Sequence, residues 1–361
     1  MTASMTGTSS MPQVALADGV LVPRLIKGGW QLAGGHGAVD ADRAVADMWA
    51  FAEAGITAFD CADIYTGVEA LIGRFLREWR AAHGDTGPAI RVHTKCVPDR
   101  DALPTLRRSD LEATIDRSLR RLGVERLDLV QFHWWDYDVP GLVDAARHLD
   151  AMRRDGKIHQ VGVTNMDVPH LAQLLDAGIP VVSHQVQLSL LDRRALGPMA
   201  GLCARHGIRL LAYGVLGGGF LHERWLGAPP PPEPLENRSL VKYRLIIDEC
   251  GGWGWFQRLL RTLGTVAAAH GTTIGAVALR WTLDLPVEAA AIVGARHASH
   301  LPATLAALRL PLTPDDHAVL AAVLAEATGP SGDVYDLERV PGGRHAVIMR
   351  TGLNRAAGDQ G

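Results

Sequence analysis

The chain has 361 residues, a formal net charge of -3, 47% hydrophobic residues and 21% charged residues, enough for one large α/β domain around a sizeable core. That balance leaves no basic stripe for nucleic acid, and no apolar run approaches the roughly 20 residues of a membrane span. The four cysteines, Cys61, Cys96, Cys203 and Cys250, show no CxxC spacing and no disulfide framework, so a reducing cytosol is the expected compartment.

Met1 to Met11 is Thr/Ser-rich and lacks the cationic and apolar regions of a signal peptide. Residues 1–13 are therefore expected to form a flexible tail. Val14 to Val22, centred on Ala17-Asp18-Gly19, reads as a β-hairpin that would plug a barrel from below. Leu25 to Gly28 is the first barrel strand and opens into a Gly-rich loop reaching Gly35. Further strand-length runs each end on polar residues. Ala58-Phe59 ends at Asp60, with Tyr65 beyond, and Arg91-Val92-His93-Thr94 ends at Lys95. Leu127 to Phe132 ends at His133, Val161-Gly162-Val163 at Thr164-Asn165, Val181 to His184 at Gln185, and Leu210 to Ala212 at Tyr213. Ala290 to Val293 is the eighth strand.

Helical patterns fill the intervals. Asp40 or Asp42 caps a helix running to Ala54. Ser109-Asp110-Leu111-Glu112 has the form of a capping box for a helix that stops at Gly123. Ala54-Gly55-Ile56, Ala177-Gly178-Ile179 and His206-Gly207-Ile208 repeat one grammar: helix end, left-handed glycine, β-branched strand start. His297 to Leu308 is the eighth helix, and Thr313-Pro314-Asp315-Asp316 starts another. Arg117, Arg120 and Arg121 read as a solvated helix face. Repeated βα units of this kind predict a single (β/α)8 TIM barrel over residues 14–328, with every polar strand end on one rim. Two segments break the rhythm. Residues 222–256 form a long insertion loop after strand 7, where Trp253 and Trp255 among glycines are expected to make a mobile, substrate-contacting flap. Residues 329–361 are a C-terminal extension that either folds over the rim or trails.

If Asp60, Tyr65, Lys95 and His133 meet on that rim, they make a proton-transfer centre. A Lys ammonium pulls a Tyr pKa down from its usual value near 10. An Asp holds the ammonium, and a neutral His can donate to a carbonyl oxygen. Such a centre lacks only an electron source. His297 and His300 lie three apart but have no third ligand, so no metal site is expected.

Phe59-Asp60-Cys61-Ala62-Asp63-Ile64-Tyr65, Thr94-Lys95, Phe132-His133-Trp134, Gly162-Val163-Thr164-Asn165, Ala212-Tyr213, Gly217-Gly218-Gly219 and Val293-Gly294-Ala295-Arg296 occur in that order. The set closely resembles the aldo-keto reductase superfamily, from about Val14 to Leu308. The resemblance implies a barrel that binds NADP(H), favoured over NAD(H), extended across the rim. It matches Asp60, Tyr65, Lys95 and His133 to the catalytic tetrad, with Tyr65 as general acid. Thr164, Asn165 and Gln185 match the residues that hold the nicotinamide carboxamide, and Tyr213 the aromatic that stacks on the nicotinamide ring. Gly29, Trp30 and Asp60 border the cofactor, and Leu216, Gly217 and Gly218 lie where the pyrophosphate would pass. Gly294, Arg296, His300 and Thr304 fall at the adenosine end, with Arg296 suited to a 2′-phosphate. Trp30, Tyr65, His133 and Trp134 would bound the carbonyl pocket.

The chain departs from the family in two places. It has Gly214-Val215-Leu216 where Ser-Pro-Leu is frequent, and His300, Ala303 and Thr304 where Arg or Gln, Glu and Asn are frequent. The expected function is NAD(P)H-dependent reduction of an aldehyde or ketone to an alcohol, or the reverse, on a small-molecule substrate. Neither nucleic acid nor membrane is an expected partner. The alternative is a nicotinamide-nucleotide-binding regulatory subunit of a larger complex with little turnover.

Overall fold

The computed structural model describes residues 11–354 apart from 18 and 288. A hairpin of β1 (Gln13–Ala17) and β2 (Val20–Pro23) precedes the barrel. The barrel strands are β3 (Leu25–Gly28), β4 (Ala58–Asp60), β5 (Arg91–Cys96), β6 (Leu127–Phe132), β7 (Ile158–Thr164), β8 (Val181–Gln187), β9 (Arg209–Tyr213) and β10 (Ala289–Val293). They close in sequence order, with β10 pairing β3, and all neighbours are parallel. This is the (β/α)8 barrel that the sequence predicts.

The outer layer comprises α1 (Ala41–Glu53), α2 (Val68–His83), α3 (Arg108–Leu122), α4 (Leu142–Arg154), α5 (Val168–Asp176), α6 (Pro198–Arg205), α7 (Arg238–Glu249), α8 (Gly252–Ala269), α9 (Ile274–Asp284), α10 (Leu301–Arg309) and α11 (Pro314–Ala325), and the short α12 (Asp336–Arg339) lies in the C-terminal extension. Asp40 caps α1 by accepting from Arg43 N. Gly55, Gly123, Gly178 and Gly207 all take positive φ at the helix-to-strand joins, as their placement predicts. The start of α3 lies earlier than the Ser109 box implies. Its N-cap is Arg107, whose N donates to Asp110, while Glu112 pairs with Arg108.

Strand alternation divides the barrel interior into two zones. The lower zone is apolar: Ile26, Ala58, Leu129, Leu211, Ala290 and Ile292 pack against Val14, Leu16, Val20 and Val22 of the hairpin. The hairpin is thus the plug. Arg209 at the foot of β9 donates to Ala15 O. The first ten residues of the expected 1–13 tail lie outside the described residues, but Gln13 already pairs with Pro23 in β1–β2. The upper zone is polar and forms the site.

The insertion is not the expected flap. Gly252 to Trp255 form the first turn of α8, and Trp255 is 2% exposed, its Nε1 donating to Val323 O. Trp253 donates to Ala228 O and meets Phe256 and Phe220. Both tryptophans belong to a second apolar core that joins α7, α8, α9 and α11. Burying the Trp255 indole and part of that of Trp253 there stabilises by several kcal/mol, on the order of 25 cal/mol per Å² of apolar surface, which outweighs the glycine-rich start of the helix. The arginine face of α3 is also more than solvated. Arg121 pairs with buried Glu69 and reaches Asp63 O, and Arg117 donates to Asn354. Among the described residues no single helix is long and apolar enough to cross a membrane.

Candidate active site

The alternation that points Ala58 into the lower zone also points Asp60 into the upper one, and the same register carries Lys95, Gln131 and Gln185 inward. Asp60 Oδ2 accepts from Lys95 Nζ at 2.7 Å, while Oδ1 accepts from Gln131 Nε2 at 3.0 Å and Gln185 Nε2 at 2.6 Å. Lys95 makes a second bond to Cys61 O at 2.8 Å. Burial works against the ammonium, but the Asp60 carboxylate overcomes it and holds the Lys95 pKa above its ordinary value. No motif marks Gln131, although its two-residue spacing from His133 puts both on one strand face.

Tyr65 sits on a turn after β4, its N bonded to Ala62 O. Lys95 Nζ lies 5.1 Å from the Tyr65 ring centroid, and the Trp30 ring lies 5.1 Å away on a tilt. The expected net lowering of the Tyr65 pKa is not what the structure gives. Burial raises it above 10 and wins over the opposing pull of Lys95. Tyr65 is therefore a protonated phenol at neutral pH with a fixed cation beside it.

His133 is 2% exposed and Nδ1 lies 3.1 Å from Thr164 O. A carbonyl can only accept, so Nδ1 carries the proton. Burial, then the charge of Arg339, pushes the His133 pKa down to about 3. The ring is neutral, and Nε2, buried and unbonded, is an acceptor. This corrects the expectation that His133 donates to a carbonyl. Trp134 also departs from expectation. It is 1% exposed, donates from Nε1 to Asp136 O and packs against Phe132. The indole that meets His133 is Trp135, edge-on at 4.4 Å, because successive residues past the strand face opposite ways.

The remaining predicted residues line the same rim. Gly29 N donates to Asp60 O, and a Cβ on Gly29 would fall 2.8 Å from that oxygen and from Val68. Thr164 donates to Gln185 O. Asn165, at φ +56, accepts from the Tyr213 hydroxyl at 2.9 Å. Leu216 is half-buried beside Gly217 and Gly218, whose Cα hydrogens face Leu191 and Tyr243. Gly294 is covered by the Gln31 amide. The Arg296 guanidinium donates to the carbonyls of His36 and Ala38. Thr304 turns back to His300 O, and His300 to His297 O. These two side chains are engaged within their own helix start.

The C-terminal extension folds over the rim. Tyr335 stands edge-on to His133 with centroids 5.7 Å apart. Glu338, shielded from solvent, lies 3.2 Å from Lys242 and 3.7 Å from Arg194, and Lys242 lies 3.4 Å from the Tyr213 hydroxyl. Asn354 fastens the far end by donating to Asp63 and Val97 O. Nothing in the local sequence marks Tyr335, Glu338 or Lys242 as rim residues.

The model of the Aldo/keto reductase family matches residues 24–325. The chain belongs to this family. Among curated relatives, the chloroplastic pyridoxal reductase of Arabidopsis thaliana is 30% identical over 281 residues, covering 73% of this chain and 72% of that protein. The NADH-specific methylglyoxal reductase of Escherichia coli is 24% identical over 339 residues, 85% and 96% of the two chains. Flagellar radial spoke protein 5 of Chlamydomonas reinhardtii is 30% identical over 62% of this chain, which spans about half of that protein (49%). The solved glycerol dehydrogenase of Gluconobacter oxydans superposes with a TM-score of 0.73 at 24% identity, covering 87% of this chain and 95% of that one. That likeness shows the fold alone.

In this aldo/keto reductase the departure at Gly214 has a packing cause. Its φ is +73, and a Cβ there would lie 1.8 Å from the Tyr243 hydroxyl of α7. The residues present also fit an extended dinucleotide. Asn165 offers its amide donors beside the half-buried Tyr213 ring. Farther along the rim, Arg238 and Arg296 flank the mouth formed by the loop from Gly35 to Gly37, and their charges, after burial, depress the pKa of His36. That mouth is electrostatically suited to phosphate.

Proposed function

We propose that this aldo/keto reductase is an NAD(P)H-dependent oxidoreductase that reduces an aldehyde or ketone to an alcohol, with Tyr65 as general acid. The observation that carries the reading is the Tyr65 phenol held against a Lys95 ammonium that Asp60 fixes at 2.7 Å. A nicotinamide dinucleotide bound along the rim would supply the hydride. Tyr65 gives its proton to the carbonyl oxygen as negative charge develops there. Lys95 stabilises the phenolate left behind, and Asp60 with Gln131 and Gln185 keeps Lys95 in place. Neutral His133 accepts the product hydroxyl at Nε2 and orients it. Trp30 walls the pocket beside Tyr65. Thr164, Asn165, Gln185 and Tyr213 would hold the nicotinamide end, and Arg296 with Arg238 the phosphates.

The two cations at the mouth support NADP(H) over NAD(H), although the methylglyoxal reductase relative is by name NADH-specific. Four buried, unpaired cysteines fit a reducing, cytoplasmic setting.

The test is nicotinamide consumption by the purified protein against a panel of aldehydes and ketones, with NADPH and NADH in parallel and Tyr65→Phe alongside. Turnover by wild type that is lost in the variant supports the reading. Tight NADPH binding without turnover of any carbonyl would favour a cofactor-binding regulatory subunit instead.

A further inference from the structure

Asn354, near the end of the C-terminal extension, sits in a socket built from three separate segments. Its Nδ2 donates to Asp63 Oδ2 at 3.0 Å and to Val97 O at 2.6 Å, and its backbone N donates to Asp99 Oδ1 at 2.9 Å. Its Oδ1 accepts from Arg117 Nη2 of α3. Both amide hydrogens, the amide oxygen and the backbone N–H are thus engaged. Three residues earlier, Thr351 O accepts from Arg100 N at 2.8 Å. The receiving groups are interior: Asp63, Val97 and Asp99 are 0%, 4% and 5% exposed. A short amide matches this set, because Val97 O and the Asp63 carboxyl call for donors while Arg117 calls for an acceptor.

The socket joins the two segments that carry the proton-transfer groups. Asp63 lies two residues before Tyr65, in the turn that Tyr65 N closes on Ala62 O. Val97 lies two residues after Lys95. Val97 N donates directly to Asp63 Oδ2 at 3.1 Å, and Asn354 Nδ2 bridges the same two residues a second time. Arg121 of α3 completes the charged surroundings, donating to Asp63 O and lying 3.3 Å from Glu69 of α2. Tyr65 and Lys95 influence each other only at the separation their two backbones set. A displacement of about 1 Å at a reacting centre costs on the order of 100-fold in rate. We propose that Asn354 is a positioning residue for the proton transfer: the docked C-terminal extension ties the Tyr65 turn to the exit of the Lys95 strand, and the barrel without it is an incomplete catalyst. This inference rests on the reading of Tyr65 as general acid beside Lys95.

The experiment compares wild type, Asn354→Ala and Asn354→Asp as full chains on a carbonyl that wild type reduces. Asn354→Ala is expected to lower kcat by about 10- to 100-fold while KM and NADPH affinity stay within about 3-fold of wild type. Asn354→Asp keeps the size and the Arg117 contact but sets a second carboxyl against Asp63, with Asp99 and Glu69 nearby and Arg117 and Arg121 as the facing cations. Its kcat relative to wild type should therefore fall about 10-fold as pH rises from about 6 to 9, because the two carboxyls can share a proton only at the lower pH. An unchanged kcat in Asn354→Ala overturns the proposal, as does a loss confined to KM or an Asn354→Asp profile parallel to that of wild type. If Asn354→Ala no longer binds NADPH, Asn354→Asp carries the test. If wild type reduces no carbonyl, the reductase reading fails separately, and amide hydrogen exchange decides the tie. Faster exchange confined to residues 61–66 and 96–99 in Asn354→Ala supports it, and unchanged protection there overturns it.

Discussion

Asp60 and Lys95 meet at 2.7 Å with side chains only 5% and 6% exposed. Burying both charges costs several kcal/mol per ion unless the remaining lone pairs and protons are satisfied. Here they are, by Gln131, Gln185 and Cys61 O. The pair is held rigidly beside Tyr65, where a fixed positive charge lowers the free energy of a phenolate.

Replacing Tyr65 by Phe is expected to lower kcat by about 10²- to 10⁴-fold, the usual contribution of a positioned general acid. Cofactor affinity should remain close to that of wild type, since the ring and its contact with Trp30 persist. Fluorescence titration with NADPH beside steady-state kinetics checks both halves.

Buried titratable groups predict opposite pH dependences of stability. Burial pushes His93 down to about 4, and His133 and His184 down to about 3. Unfolded, each binds a proton near pH 6.5. Their contribution is complete above that pH and is lost as pH falls toward 3–4, because the unfolded chain then holds more protons.

Asp63 runs the other way. Burial raises its pKa from 3.8 to about 7, against the bonds from Asn354 and Val97. The folded state holds the extra proton, so stability is lost as pH rises from about 4 to 7. Asp63→Asn should therefore raise Tm relative to wild type by an amount that grows over that interval and levels off above it. A Tm difference independent of pH would contradict the assignment.

Trp255 is a core residue of the α8 packing. Trp255→Ala is expected to cost about 3–5 kcal/mol of stability through the cavity and the unpaired Val323 carbonyl. KM for any substrate turned over should stay near that of wild type. A large KM change with little loss of stability would restore the flap reading.

Gly214→Ser restores the residue frequent in the family but meets both a left-handed backbone and the Tyr243 hydroxyl. The expected loss is about 2–4 kcal/mol. Combining it with Tyr243→Ala should recover the steric part, so the two changes would be non-additive in denaturant unfolding.

The local sequence determined the repeated unit. Period-two strands, capped helices and left-handed glycines such as Gly55 and Gly178 are written within a few residues of each other, and eight such units can bury their apolar faces only by closing. It also placed Asp60, Lys95 and His133 at strand ends, since a side chain at the end of a parallel strand has one rim to face. Three features were decided by tertiary packing. Trp253 and Trp255 sit in a glycine-rich stretch whose helix exists because a second core accepts the indoles. His133 is an acceptor at Nε2 because the Thr164 carbonyl, on the next strand, takes its one proton. Tyr335, Glu338 and Arg339 lie some 200 residues beyond His133, in a tail without periodicity. Only the ion pairs and ring contacts they make across the barrel mouth bring them to the site, and no pattern of sequence spacing encodes contacts of that range.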